Sequence, residues 1–370
     1  MRFEILKEDK ETGARLGTLH VSGRKIETPI LWPGCSIRKE PFLWKYFDVD
    51  AVMLNSLEVL EAGAGARKIH EYLGIEGFVM MDSGGFQLME GEIRITPGRL
   101  LRLYEQTRPD IGVVLDHPFN PGDPKSRMEK WKKTLENTRF MLENSRGTAI
   151  MPVIHGYTPE EIKRACNEIK EIASPKIIGV GSLVPLLRRM KTSELSKLNG
   201  ADAIKFIVNA ISIIRKEFPD AFLHVFGVGS VATMHLMFSL GVDSVDSMSW
   251  RTKAAYGAIQ LPGTGDRFIT PENDRKRLEE DHLLENCRCP VCAGRSLEEK
   301  RRDLDNSRPG TFLNRAVHNA FVLKEEERKF REMLARDGLA EFVKNRLKKT
   351  RYQKFLKIIS RKQTLSQFFN

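Results

Sequence analysis

The sequence predicts an α/β chain folded as a closed parallel (β/α)8 barrel, on three observations. Eight short apolar segments each end in a polar or glycine-rich turn. Amphipathic stretches of helical period lie between several of them. Polar residues recur at the last position of these segments, as they do where barrel strands open into a shared mouth. An open doubly wound sheet is the alternative, because a strand count alone does not show closure.

In chain order the segments are TPILWPG from Thr28, AVMLNS from Ala51, FVMMDSGG from Phe78, IGVVLDHP from Ile111, AIMPVIHG from Ala149, KIIGVGS from Lys176, FLHVFGVG from Phe222 and VDSVDSMS from Val242. Helical stretches begin at Thr96, Ser126, Thr158 and Ala201. The third opens on Thr158, Pro159 and Glu161, the order of an N-cap, a first-turn proline and a capping-box carboxylate.

A chain of 370 residues with 41% hydrophobic content can bury a substantial core, as one large domain or two ordinary ones. No signal-peptide pattern opens it, and no run of about 18 uncharged apolar residues occurs, so a cytoplasmic protein is expected. Its five cysteines make no disulfide framework: Cys35 and Cys166 stand alone, and the rest fall between 287 and 292. Much of the formal charge of +11 comes from the end of the chain. Beyond Glu341 there is no acidic residue, while Lys344, Arg346, Lys348, Lys349, Arg351, Lys354, Lys357, Arg361 and Lys362 are basic, with Tyr352, Phe355, Leu356, Ile358 and Ile359 interleaved. This reads as a basic helix docked by one face, offered to a phosphate backbone. The alternatives are a solvated helix and a membrane-surface helix. The expected domains are a catalytic barrel over 1–280, a zinc-binding subdomain over 281–325 and the basic tail over 326–370.

Strand ends place Asp82, Asp116, His155 and Asp246 at the barrel mouth, joined by Asn55, Gly181, Ser182 and Gly227. Any one such aspartate is ordinarily a turn or helix cap, but three on separate strands point to a site. The glycines of SGG, VGS and GVG beside them expose backbone N–H groups to a flat ligand, or simply make tight turns. Cys287, Cys289 and Cys292 are spaced to converge on one ion, and His318, 26 residues after Cys292, completes a Cys3His shell. Four protein ligands leave no open position, so one structural Zn2+ is expected.

DSGGFQ, the aspartate of LDHP, GVGSLVPLL, the GVDSVDSMS strand end and the C-x-C-x2-C…H array together resemble the tRNA-guanine transglycosylase family. The resemblance runs from about Thr28 to Phe321. It implies a (β/α)8 enzyme with a zinc-bearing insert, a pentosyltransferase exchanging guanine in nucleic acid for a 7-deazaguanine base such as preQ0 or preQ1. It makes Asp246 the nucleophile that attacks C1′ and Asp82 the general acid/base. Asp116 becomes the acceptor for the purine N1–H and amine. His155, Gly156, Ser83, Gly181, Ser182, Leu183, Gly227 and Asn55, around the same mouth, are the further substrate-binding candidates. Two inversions at one carbon require such a pair of carboxylates, and the target nucleotide must leave its stack to reach them.

The sequence also departs from that family. His155 precedes Gly156 where a glutamine is usual, and LDHPFNP is not the usual continuation. Trp250 and Arg251 occupy a loop position from which an indole could stack on a base and a guanidinium meet a phosphate; a buried Trp and a surface Arg is the alternative. GVGSLVPLL resembles archaeal enzymes, which commonly carry a long carboxy-terminal extension, whereas a barrel, a zinc insert and a short tail resemble the branch that modifies DNA. The reading leans to DNA, with tRNA as the alternative. A nucleic-acid-binding subunit without catalysis and a catalytic-zinc hydrolase are further alternatives, and a homodimer or an accessory protein is left open.

Overall fold

The computed structural model describes residues 1–85, 95–120, 122–188, 200–350 and 352–353. Strands β1 (Arg2–Glu8), β2 (Arg15–Val21) and β3 (Arg24–Thr28) form a separate antiparallel sheet. The second sheet contains β4 (Ile30–Cys35), β5 (Ala51–Asn55), β6 (Phe78–Asp82), β7 (Ile111–Val113), β8 (Ala149–Met151), β9 (Val153–Ile154), β10 (Ile177–Val180), β11 (Phe222–Val225) and β12 (Ser244–Ser247). Every ladder in it is parallel, and β4 pairs with both β5 and β12. Pro152, which has no N–H to give to a ladder, splits one strand into β8 and β9. β8 pairs with β7 and β9 with β10, so the sheet closes on itself and the expected eight-stranded barrel is present.

Helices alternate with these strands: α1 (Ser56–Glu61), α2 (Ile69–Leu73), α3 (Pro97–Thr107), α4 (Arg127–Asn144), α5 (Pro159–Ile172), α6 (Val184–Arg188), α7 (Gly200–Glu217) and α8 (Val231–Ser239). Local chemistry starts them. Thr96 and Thr158 accept from Arg99 N and Glu161 N at 3.2 and 3.1 Å, each ahead of a proline. The Glu161 carboxylate reaches back to the N–H of Tyr157, one residue before the cap. The rest of the chain adds α9 (Ser249–Ala255), α10 (Asp281–Glu285), α11 (Leu297–Leu304), α12 (Phe312–Ala335) and α13 (Leu339–Leu347).

The N-terminal sheet, which the sequence reading did not anticipate, packs against the beginnings of the barrel strands. Phe3 meets Phe222 edge to face at 5.5 Å, and the buried Arg15 guanidinium grips Asp243 at 3.1 and 2.7 Å. Arg215 adds a second cation to Asp243 at 2.9 Å, so that buried carboxylate is paired twice.

Helix α12 completes the barrel wall. The β4–β5 ladder pairs only Gly34 with Met53 and Cys35 with Leu54. Below it the N–H of Leu31 donates to Glu327 Oε2 at 3.0 Å, and Lys324 Nζ donates to the Leu31 carbonyl at 3.2 Å. Side chains of a helix thus satisfy a strand edge that a neighbouring strand would otherwise cover. The domain boundary expected between 325 and 326 falls inside this one unbroken helix, because Glu326 and Glu327 anchor it to the barrel. Among the described residues no helix is long and apolar enough to cross a membrane.

Candidate active site

The last position of β6 holds Asp82, after Val79, Met80 and Met81, which are fully buried. The chain leaves the strand through Ser83, Gly84 and Gly85, and the turn is built around two carboxylates. Gly84 N donates to Asp82 Oδ2 at 3.1 Å, Gly85 N to Ser83 Oγ at 3.1 Å, and Ser83 Oγ to Asp116 Oδ1 at 2.7 Å. A Cβ on Gly85 would stand 2.6 Å from Asp116 Oδ1 and 2.8 Å from the Asp116 carbonyl oxygen. Glycine at 85 therefore lets the turn after one strand lie against the aspartate after the next.

Asp116 also faces His155, whose Nε2 is 3.0 Å from Asp116 Oδ2 but makes no hydrogen bond with it. The other ring nitrogen, Nδ1, is 2.9 Å from Ser182 Oγ. Ser182, in the left-handed region at φ 64°, accepts from Phe119 N at 2.9 Å, and Tyr157 Oη donates to the Phe119 carbonyl at 3.0 Å. Gly181 permits the packing, since a Cβ there would be 2.4 Å from His155 Cε1. A Cβ on Gly156 would stand 2.9 Å from Ile162 Cδ1 of α5, and Leu183 is fully buried.

Asp246 lies on β12. Its Oδ1 accepts from Gly227 N at 2.6 Å, and its carbonyl accepts from Gly229 N at 2.9 Å. Gly227 adopts φ +73°, a conformation that costs glycine little and other residues more. The three aspartates share one electrostatic neighbourhood. Burial first, then the charge of Asp116, and also that of Asp246, push the Asp82 carboxyl up to about 7, against hydrogen bonds from Gly84 and Ser83. A carboxyl balanced near neutrality beside two others can give and take a proton at ordinary pH.

Asn55 sits beside Asp82 in the β5–β6 register, but its Oδ1 caps α1 by accepting from Leu57 N and Glu58 N at 2.9 and 3.3 Å. Other expectations need correction. Trp250 is 1% exposed, and its indole N–H donates to the Gly34 carbonyl at 3.1 Å, so it is a core residue and no stacking platform. Arg251 binds the Lys39 and Glu40 carbonyls and covers the Phe312 ring at 5.4 Å. Arg346 is held by the buried Glu326 at 3.0 Å and stacks on Phe342, so it is withdrawn from the proposed nucleic-acid surface. Lys344, Lys348 and Lys349 are exposed along α13 and just after it, whose Leu339, Val343 and Leu347 are buried. Arg351 and the basic residues from Lys354 onward lie outside the described residues, as do Phe86 and Gln87 of the DSGGFQ motif. Sequence reasoning missed His224, a fully buried imidazole against Asp246; a histidine inside an apolar strand was its only signal.

Cys287, Cys289, Cys292 and His318 come together as expected, with all four ligand atoms within 4.8 Å of one another. The three sulfurs lie 3.5, 3.5 and 3.7 Å from His318 Nδ1. Tetrahedral zinc with ordinary Zn–S and Zn–N bonds sets that separation at about 3.6 Å. His318 Nε2 is 3.1 Å from the Gln260 carbonyl, a partner that fixes the proton there and leaves Nδ1 for a metal.

The chain matches a known family. The family model for queuine tRNA-ribosyltransferase matches residues 9–352. A tRNA-guanine(15) transglycosylase of Pyrococcus abyssi is 29% identical over 94% of this chain and 56% of its own length. Proteins of the same name from Methanopyrus kandleri and Methanosarcina mazei are 28% and 30% identical, over 93% of this chain in each case and over 71% and 66% of their own lengths. The chain thus spans little more than half of the Pyrococcus abyssi relative. On the extent of the family match, it belongs to the TGT family, that of the queuine tRNA-ribosyltransferases.

Proposed function

We propose that this protein is a guanine transglycosylase that exchanges a guanine of tRNA for a 7-deazaguanine base by double displacement. The carrying observation is that Asp82, Asp116 and Asp246 all lie at the ends of strands of one barrel, and that burial and the charges of the other two push the Asp82 carboxyl up to about 7. In this reading Asp246 attacks C1′ and guanine departs with a proton from Asp82. The incoming base then attacks the glycosyl ester and returns its N9 proton to Asp82. Asp116, oriented by Ser83, takes the purine N1–H and amine, and His155 stands beside it for the base carbonyl. One N-glycosidic bond is exchanged for another, so neither ATP nor a redox cofactor enters the balance.

The four-ligand cluster accommodates Zn2+, which would organise the segment between β12 and α12 and take no part in the exchange. The lean to DNA drawn from the sequence has no support in the described residues, whereas the similarity to archaeal tRNA-guanine(15) transglycosylases favours tRNA. Incubation with labelled guanine and either tRNA or duplex DNA decides. Label in tRNA supports the proposal, label in DNA alone reverses the substrate, and label in neither, with no covalent adduct, leaves a binding subunit.

A further inference from the structure

The carboxylate proposed as nucleophile has a neighbour behind it that takes no part in the scheme above. His224 and Ser244 stand opposite each other on the parallel strands β11 and β12. Ser244 and Asp246 are two residues apart on one strand and so point to the same face. His224 joins them there: Nδ1 is 2.7 Å from Ser244 Oγ and Nε2 is 3.3 Å from Asp246 Oδ1. The Phe226 ring meets the imidazole edge to face at 4.4 Å and holds its plane. Nε2 is buried and makes no hydrogen bond among the described residues, and such an atom needs a reason to be where it is.

We propose that His224 is a positioning residue for Asp246, an inference that rests on the base-exchange reading. Ser244 donates its hydroxyl proton to Nδ1, which puts the ring proton on Nε2, 3.3 Å from Asp246 Oδ1 but off the line of a hydrogen bond. A small turn of the ring during the reaction brings that N–H onto Oδ1 beside the Gly227 N–H, and Oδ2 is left as the attacking oxygen. In the first half-reaction the Oδ2–C1′ bond forms as C1′–N9 breaks, and guanine leaves with the electron pair and a proton from Asp82. In the second, N9 of the incoming base bonds to C1′, its proton passes to Asp82, and the Oδ2–C1′ electron pair returns to the carboxylate. Charge coming back to the carboxylate is shared by Oδ1, where two donors wait. Donors at Oδ1 favour the free carboxylate over the ester, so removing one slows release of the enzyme more than its capture.

The test compares native protein with His224→Leu, His224→Gln, Ser244→Ala and Asp246→Asn, using labelled tRNA and 7-deazaguanine and reading kcat and the fraction of protein trapped covalently on a denaturing gel. His224→Leu should lower kcat about 10- to 100-fold while raising the trapped fraction, and His224→Gln, which keeps a donor, should recover most of the loss. Ser244→Ala should move both readouts the same way by less, and it decides the matter should the leucine variant not fold. If native protein traps no polymer, base exchange itself fails. If native protein traps it but the trapped fraction is unchanged or lower in a folded His224→Leu or Ser244→Ala, or if glutamine behaves as leucine does, the positioning role fails and base exchange stands.

Discussion

Asp82→Asn tests the site through two independent readouts. Burial and the neighbouring carboxylates raise the Asp82 carboxyl from 3.8 to about 7. Between those limits the folded state keeps a proton that the unfolded chain has already released. Stability therefore falls as pH rises, by about 1.4 kcal/mol per unit. The whole window amounts to about 4 kcal/mol, and solvent reaching a side chain at an open mouth reduces this to about 2–3 kcal/mol. Asparagine has the same shape and no ionisation, and its carbonyl can still accept from Gly84. The variant should match native stability below about pH 4 and exceed it by about 2–3 kcal/mol above about pH 7. Urea melts across that range measure the difference, and a difference that does not change with pH would refute the electrostatic account. In parallel, kcat should drop about 10²- to 10⁴-fold with affinity for the polymer little changed. If affinity collapsed along with turnover, Asp82 would be holding the fold and not moving a proton.

Chelation, or Cys289→Ser, should lower the melting temperature and expose amides between 281 and 318 to exchange, with about one zinc lost per chain; turnover lost without any change in exchange would put the metal in the chemistry. Changing Lys344, Lys348 and Lys349 together to glutamine should weaken nucleic-acid binding and reduce the slope of log affinity against log salt by about 2, and an unchanged slope returns that face to plain solvent exposure. Trp250→Ala should cost about 3–5 kcal/mol of stability, as removal of a buried indole does, and leave the salt slope alone; a loss of affinity without a loss of stability would restore the stacking role.

The barrel was legible because each strand announces itself locally: an apolar run of four to six residues, a turn, an amphipathic stretch. The Cys3His cluster was legible for the same reason, since three of its four residues lie within six positions. What stayed hidden depends on distant partners. Arg15 reads as one of many surface cations until the fold brings Asp243 within 2.7 Å, and the side chains of Lys324 and Glu327 gain meaning only beside Leu31. Trp250 and Arg346 misled because a side chain's type gives the contacts it is able to make, while burial gives those it does make. The N-terminal hairpin did carry a signal, alternation on both sides of Ser22-Gly23, both of which have positive φ. Attention to the parallel strands passed over it.

Three carboxylates in one cavity repel one another, and the way the fold supports each supports a division of labour. Asp246 receives the Gly227 N–H on Oδ1 and has His224 at its back; Asp116 receives the Ser83 hydroxyl on one oxygen and faces His155 with the other. Both are supplied from other strands, which suits the nucleophile and recognition roles proposed for them. Among the described residues Asp82 receives only N–H groups of its own turn, and it bears the repulsion of the other two. A carboxyl that burial and two like charges disfavour as an anion gains from keeping a proton, which fits the proton-carrying role proposed for Asp82. Moving a donor to Asp82 from another strand should therefore cost proton transfer even where every aspartate stays in place.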